Sequence, residues 1–122
     1  MIRGPEALDM LMALNAGCSG VATLHANSAR DALEKLVSYS VLAGQNVAIP
    51  FVRRTVAAVV DLVVFLRRNG RFRTVDEIAF VPGQLSGEVF TLQQLFEMAA
   101  TGLRWTGSTP DDPRLDPGGW AL

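Results

Sequence analysis

Val21-Ala22-Thr23-Leu24-His25-Ala26-Asn27-Ser28-Ala29-Arg30-Asp31 reads as a short strand that ends on polar residues and runs directly into a helix. The apolar stretch from Val21 to Leu24, bounded by Gly20 and His25, predicts a buried strand. Ser28 is a good N-cap, and Asp31 stands three residues on, a variant of the capping box. The helix that follows would turn Ala32, Leu33, Leu36, Val37 and Val41 inward and end near Gly44. A buried strand feeding a helix is the repeating unit of an α/β layer structure.

The flanks extend this pattern. Upstream, Gly4-Pro5-Glu6 opens a helix, with proline early and an acid in the first turn. Leu8, Leu11 and Met12, with Met10 and Leu14, recur at helical spacing, and Asn15-Ala16-Gly17 supplies the stop. Downstream, Ile49-Pro50 begins a helix to about Val60, with Val52, Val56 and Val59 on one stripe. Leu62-Val63-Val64-Phe65-Leu66 is a continuous apolar run of the kind covered on both faces. Asn69-Gly70 predicts a type I′ hairpin, with a returning strand from Phe72 to Val81 closed by Pro82-Gly83. A short strand is expected around Val89-Phe90, then a helix from Thr91 through Ala100. Beyond Gly102 the chain is rich in Pro, Gly and Asp. The reading is a domain over 1–101 and a flexible tail over 102–122, where Trp105 and Trp120 are the residues that can dock.

Composition narrows the function classes. The chain has 122 residues, 49% hydrophobic and 19% charged, enough for one packed core. A formal net charge of −1 gives no global basic field for nucleic acid or an anionic membrane. Cys18 is the only cysteine, so no intrachain disulfide forms. No apolar segment follows the start as a secretion signal requires. The longest apolar run, Val56 to Leu66, is interrupted by Asp61 and falls short of the roughly 20 residues that span a membrane. The expectation is a soluble cytoplasmic protein.

Two places carry chemistry. The first is Thr23-Leu24-His25-Ala26-Asn27-Ser28, polar residues at the carboxyl end of a strand and the entrance of a helix. Ligands of open α/β sheets bind there, and a helix N-terminus favours anions. A histidine at this point can donate to a phosphate, or it can be a capping or packing histidine. The second is the arginine series Arg53, Arg54, Arg67, Arg68, Arg71 and Arg73. Arginines clamp phosphates or act across a subunit boundary, yet the plain alternative is a solvated helix face and hairpin rim. Only Phe65 and Phe72 lie near them and both read as core, which speaks against nucleic-acid binding. One histidine and one cysteine cannot close a zinc site, so no metal is expected.

The blocks Arg3-Gly4-Pro5-Glu6-Ala7-Leu8-Asp9-Met10-Leu11 and Thr23-Leu24-His25-Ala26-Asn27-Ser28 resemble the type II/IV secretion ATPase superfamily. Within it the likeness is to the tight-adherence (Flp) pilus assembly ATPase, and it covers about residues 3 to 100. The resemblance implies an α/β fold, the C-terminal part of a RecA-like P-loop ATPase core with an edge hairpin. His25 would then be the His-box histidine near the γ-phosphate, and Arg3 would follow the Walker B acid. Thr23, Asn27 and Glu6 would lie close to the nucleotide, and Arg53 and Arg54 would be arginines acting in trans or at an interface. The complete family protein uses ATP and Mg²⁺, forms hexamers on the inner face of the cell membrane, and works with inner-membrane platform proteins.

This sequence departs from the family at the phosphate machinery. A phosphate loop needs Gly-x-x-x-x-Gly-Lys-Ser/Thr. The only lysine, Lys35, sits between Glu34 and Leu36 without a flanking glycine. The family's Walker A loop and Asp box would precede Arg3, and an ungapped alignment puts Met1 where the Walker B glutamate belongs. The chain alone is therefore expected neither to bind ATP tightly nor to hydrolyse it. The rival expectation is a stand-alone, non-catalytic interaction module derived from such a motor. A third is nucleic-acid binding through the arginine series. With partner strands missing, exposed apolar surface and self-association are expected.

Overall fold

Leu33, Leu36 and Val37 fall three and four residues apart, so one helical face carries all three, and the fold is built around that face. They belong to α2 (Ala29–Val41) and pack against Ala7 and Leu11 of α1 (Glu6–Asn15) and Val52, Val56 and Ala57 of α3 (Ile49–Val59). Ile2, Val81 and Phe90 complete this cluster. α1 stops at Gly17, whose φ of +103° only glycine adopts without strain. The computed structural model describes residues 1–44 and 46–115. Asp116-Pro117-Gly118-Gly119 and the docking expected of Trp120 lie outside the described residues.

The helices give way to an antiparallel sheet. Its strands are β1 (Leu62–Asn69), β2 (Phe72–Phe80), β5 (Gln93–Ala99) and β6 (Gly102–Trp105), in spatial order β1-β2-β5-β6. Between β2 and β5, the short strands β3 (Leu85–Ser86) and β4 (Val89–Phe90) form a separate hairpin. A mixed α/β fold is therefore present. The ladders of the described residues are antiparallel, and a RecA-like P-loop core is not displayed.

Several expectations are corrected. Val21 to Leu24 is not a strand: Val21 is fully exposed, and Leu24 makes a single parallel bridge with Ile2. Only residues 1–3 run beside it, too few for a ladder. The Leu62–Leu66 run is covered on one face only. Leu62, Val64 and Leu66 are 40%, 48% and 53% exposed, while Val63 packs on the core. The helices lie on one side of the sheet, and an apolar run cannot announce how many of its faces are covered.

The hairpin forms one residue later than expected. Asn69 pairs with Phe72, so the turn is Gly70–Arg71. Gly70 has φ +63° and no non-glycine residue described has positive φ, which matches glycine first in a type II′ turn. Gln93 to Ala99 form a strand, not the expected helix. Gln, Leu, Glu, Met and Ala favour helices by less than about 1 kcal/mol each. Ladders with β2 on one side and β6 on the other override that preference.

The domain boundary placed after residue 101 falls inside the β5–β6 turn, so residues 102–105 belong to the sheet. The segment after β6 is tied back as well. Gln93 Nε2 donates to Ser108 and Thr109, and a 3₁₀ turn, Pro113–Leu115, brings Arg114 to both Asp61 and Asp112.

Two outcomes follow. Leu33→Ala should lower unfolding stability in urea by about 2–5 kcal/mol, whereas Val64→Ala on the open face should cost under about 1 kcal/mol. Equal losses would contradict one-sided covering of the sheet. The hydrogen bonds from Arg114 hold the Asp112 carboxyl down at about 2, against an ordinary 3.8. Its folded value is depressed, so its contribution is present above the ordinary value and lost as pH falls through about 2. A carboxyl NMR titration of Asp112 with a midpoint near the ordinary value would show that the contact is not formed.

Candidate functional site at the entrances of α1 and α2

The parallel bridge between Ile2 and Leu24 is made as the Ile2 N–H donates to the Thr23 carbonyl at 2.7 Å. Arg3 and His25 each follow the bridged residue by one position. They therefore stand side by side at the same end, both exposed, while Ile2 points into the core. α1 and α2 begin a few residues further along. The bridge thus gathers Arg3, His25 and two helix entrances, although it is no longer than one residue pair.

Each entrance is capped by the chain's own carboxylates. Glu6 Oε1 accepts the Arg3 N–H at 2.7 Å. That bond, then those from the N–H groups of Glu6 and Gly4, hold the Glu6 carboxyl below its ordinary range. At α2, Ser28 Oγ accepts the Asp31 N–H at 3.0 Å, and Asp31 Oδ2 accepts the Asn27 N–H at 2.8 Å. Glu77, reaching over from β2, accepts the Ala29 N–H at 2.9 Å, and its other oxygen accepts Gln94 Nε2. These acids neutralise the field and the unpaired amides of the helix starts.

Lys35 has a definite position. Its Nζ donates to the His25 carbonyl at 2.9 Å and lies 3.6 Å from Asp31. The backbone of His25 is thereby fastened to α2 while its imidazole faces solvent. Among the described residues the imidazole has no hydrogen-bond partner, which is not the arrangement of a capping or packing histidine. Thr23 and Asn27 are exposed on the same segment.

Arg53 and Arg54 do not join this site. Arg53 donates to both Glu34 oxygens, at 2.7 and 2.9 Å, and stacks 5.3 Å from the Phe90 ring centroid. It ties α3 to α2 and β4. Arg54 is exposed and lines an open cleft with Arg53, Gly83, Leu85 and Glu88. Among the described residues no group of three His, Cys, Asp or Glu side chains could hold a metal, and no helix is long and apolar enough to cross a membrane. Glu77 and Lys35 were invisible as site residues in the sequence. The spacing of Asp31 and Lys35, one helical turn, was the one signal for Lys35, and nothing local marks Glu77.

No family model matches the chain. It is 34% identical over 83 residues to the conjugal transfer protein TrbB of Rhizobium radiobacter, an alignment that takes in 67% of this chain and 24% of that protein. The chain thus spans about a quarter of the length of the curated relative it matches. Across about two thirds of its residues, this chain is similar in sequence to a conjugal transfer protein.

Proposed function

We propose that this chain serves as the C-terminal part of a motor ATPase of the type II/IV secretion class, in the line of the tight-adherence pilus ATPases. The observation that carries the reading is the Ile2–Leu24 bridge, which sets Arg3 beside a free His25 at two helix entrances. Helix entrances favour anions such as phosphate. Resemblance to a conjugal transfer protein supports the same direction. In this reading His25 responds to the γ-phosphate of ATP·Mg²⁺, Arg3 holds the position that follows the metal-binding acid in the family, where Met1 stands in place of the acid, and Thr23, Asn27 and Glu6 shape the wall. The motor would be a hexamer at the inner face of the cell membrane, joined to platform proteins within it. The phosphate loop lies in a segment that these 122 residues do not contain.

A stand-alone interaction module is the second reading. The favouring observation is that Glu6, Asp31 and Glu77 already fill the two helix entrances, leaving little open amide for a phosphate. Nucleic-acid binding is less well supported. Within the arginine series Arg53 and Arg67 are each taken up by a carboxylate of the chain, and the formal net charge of −1 gives no global basic field.

Two measurements test the motor reading. Titration with ATP·Mg²⁺ should give no saturable binding to the isolated chain. In an intact motor carrying these residues, His25→Ala should lower kcat by about tenfold or more while nucleotide binding persists. Saturable binding by the isolated chain, lost in His25→Ala, would mean that the nucleotide site is complete here. An unchanged kcat would remove His25 from the mechanism and favour the interaction module.

A further inference from the structure

The β1–β2 hairpin runs on past the sheet. β2 pairs with β5 only from Glu77 to Phe80, whereas β1 and β2 stay paired through Leu66↔Val75, Arg67↔Thr74, Arg68↔Arg73 and Asn69↔Phe72. These four pairs and the turn Gly70–Arg71 make a two-stranded arm with no third strand paired to it. From Glu77, the last β2 residue with a partner on β5, to Phe72 the arm reaches about 15 Å, at ~3.3 Å per residue. Residues 66–74 are exposed without a break. Phe72, read from the sequence as core, is 74% exposed beside the turn.

The arm also concentrates the positive charge. Residues 66–74 hold four arginines and no acid, and the rest of the chain holds the other seven basic residues and all twelve acids, so a formal +4 stands against −5. Arg67 is paired with Asp76 at 3.3 Å. Arg68, Arg71 and Arg73 have no acidic partner among the described residues. Arg68 and Arg73 stand directly opposite each other, an arrangement that weakens a ladder. Nothing within the fold rewards it, which points to an anionic partner outside.

We propose that the arm is a contact for the surface of an anionic phospholipid bilayer. Phe72 enters the headgroup layer beside the turn, and Arg68, Arg71 and Arg73 meet the lipid phosphates around it. The arm's length exceeds the ~8 Å over which charge is screened at physiological salt, so the negative body is held clear of the negative surface. Lipid rewards an exposed phenylalanine among arginines with both burial and charge. A single-stranded nucleic acid needs a groove along its backbone and successive aromatic platforms, and a narrow tip with one phenylalanine offers neither. A second copy of this chain has few acids to give, because Asp31, Glu34, Asp61, Asp76, Glu97 and Asp112 are already ion-paired within the chain. The inference stands on the arm alone and does not depend on the motor reading.

The test is cosedimentation of the full chain with vesicles of phosphatidylglycerol and phosphatidylcholine, compared with vesicles of phosphatidylcholine alone. Binding should weaken at least about tenfold on the neutral vesicles, and by as much on the mixed ones for the double variant Arg68→Glu, Arg73→Glu. Phe72→Ala should weaken it at least about threefold, as the loss of buried apolar surface requires. Circular dichroism checks that each variant is folded. Equal binding to both kinds of vesicle would overturn the proposal, and so would a double variant or a Phe72→Ala chain that binds like the original. Binding to a single-stranded oligonucleotide with none to the mixed vesicles would make the occupant a nucleic acid. A dimer in sedimentation that is lost in the double variant, again without vesicle binding, would make it a second copy. In a longer protein carrying these residues, trypsin should cut the arm after Arg71 and the mixed vesicles should protect it. Resistance without vesicles would mean that the rest of that protein covers the arm, which also overturns the proposal.

Discussion

The carboxylate of Glu77 on the Ala29 N–H is the contact on which the arrangement turns. α2 begins there, and α2 touches α1, α3, β1 and β2. A helix entrance has unpaired amides, and a buried or half-buried one needs acceptors. Ser28 and Asp31 meet part of that need from within the helix, whereas Glu77 meets it from a strand 48 residues away. The helical layer and the sheet are thereby locked in one register. The segment Thr23 to Asn27, which leads into α2, inherits a fixed position from that lock and from Lys35 on the His25 carbonyl.

This explains how a site can stand on so little regular structure. One parallel bridge would not by itself hold Arg3 beside His25. The core beneath it does: Ile2 is buried with Leu33 and Val56, and Leu24 packs against the same cluster, so both arms of the bridge are anchored on it. Function, in the reading favoured here, lies on the exposed side of that anchor. The price is that both helix entrances are occupied by internal acids, and any phosphate reaching this point must compete with Glu6 and Asp31.

What the sequence made legible were features with local physical causes. Ser28 as a cap, Pro50 at the start of α3, Gly17 as a stop and the Phe72–Phe80 strand each depend on neighbouring residues alone. What it hid depends on distant partners. Gln93 to Ala99 carry helix-forming residues, and only the flanking ladders make them a strand. Val64 and Leu66 look like core, and only the position of the helices leaves them open. Within the site, His25, Thr23, Asn27, Arg3 and Glu6 come to one end of the molecule. Arg53, expected to act in trans or at an interface, is bonded within this chain to Glu34 and stacked on Phe90, contacts that no local pattern announces.

The most direct check on the account is amide hydrogen exchange resolved by NMR at Ile2 and Ala29. The Ile2 amide donates to Thr23 and the Ala29 amide to Glu77, so each reports one of the two links that fix the His25 segment. Both should exchange slowly, with protection comparable to the amides in the middle of α2. Exchange of Ile2 at the rate of an open chain would mean that Arg3 and His25 are not held together, and the site described here would not exist.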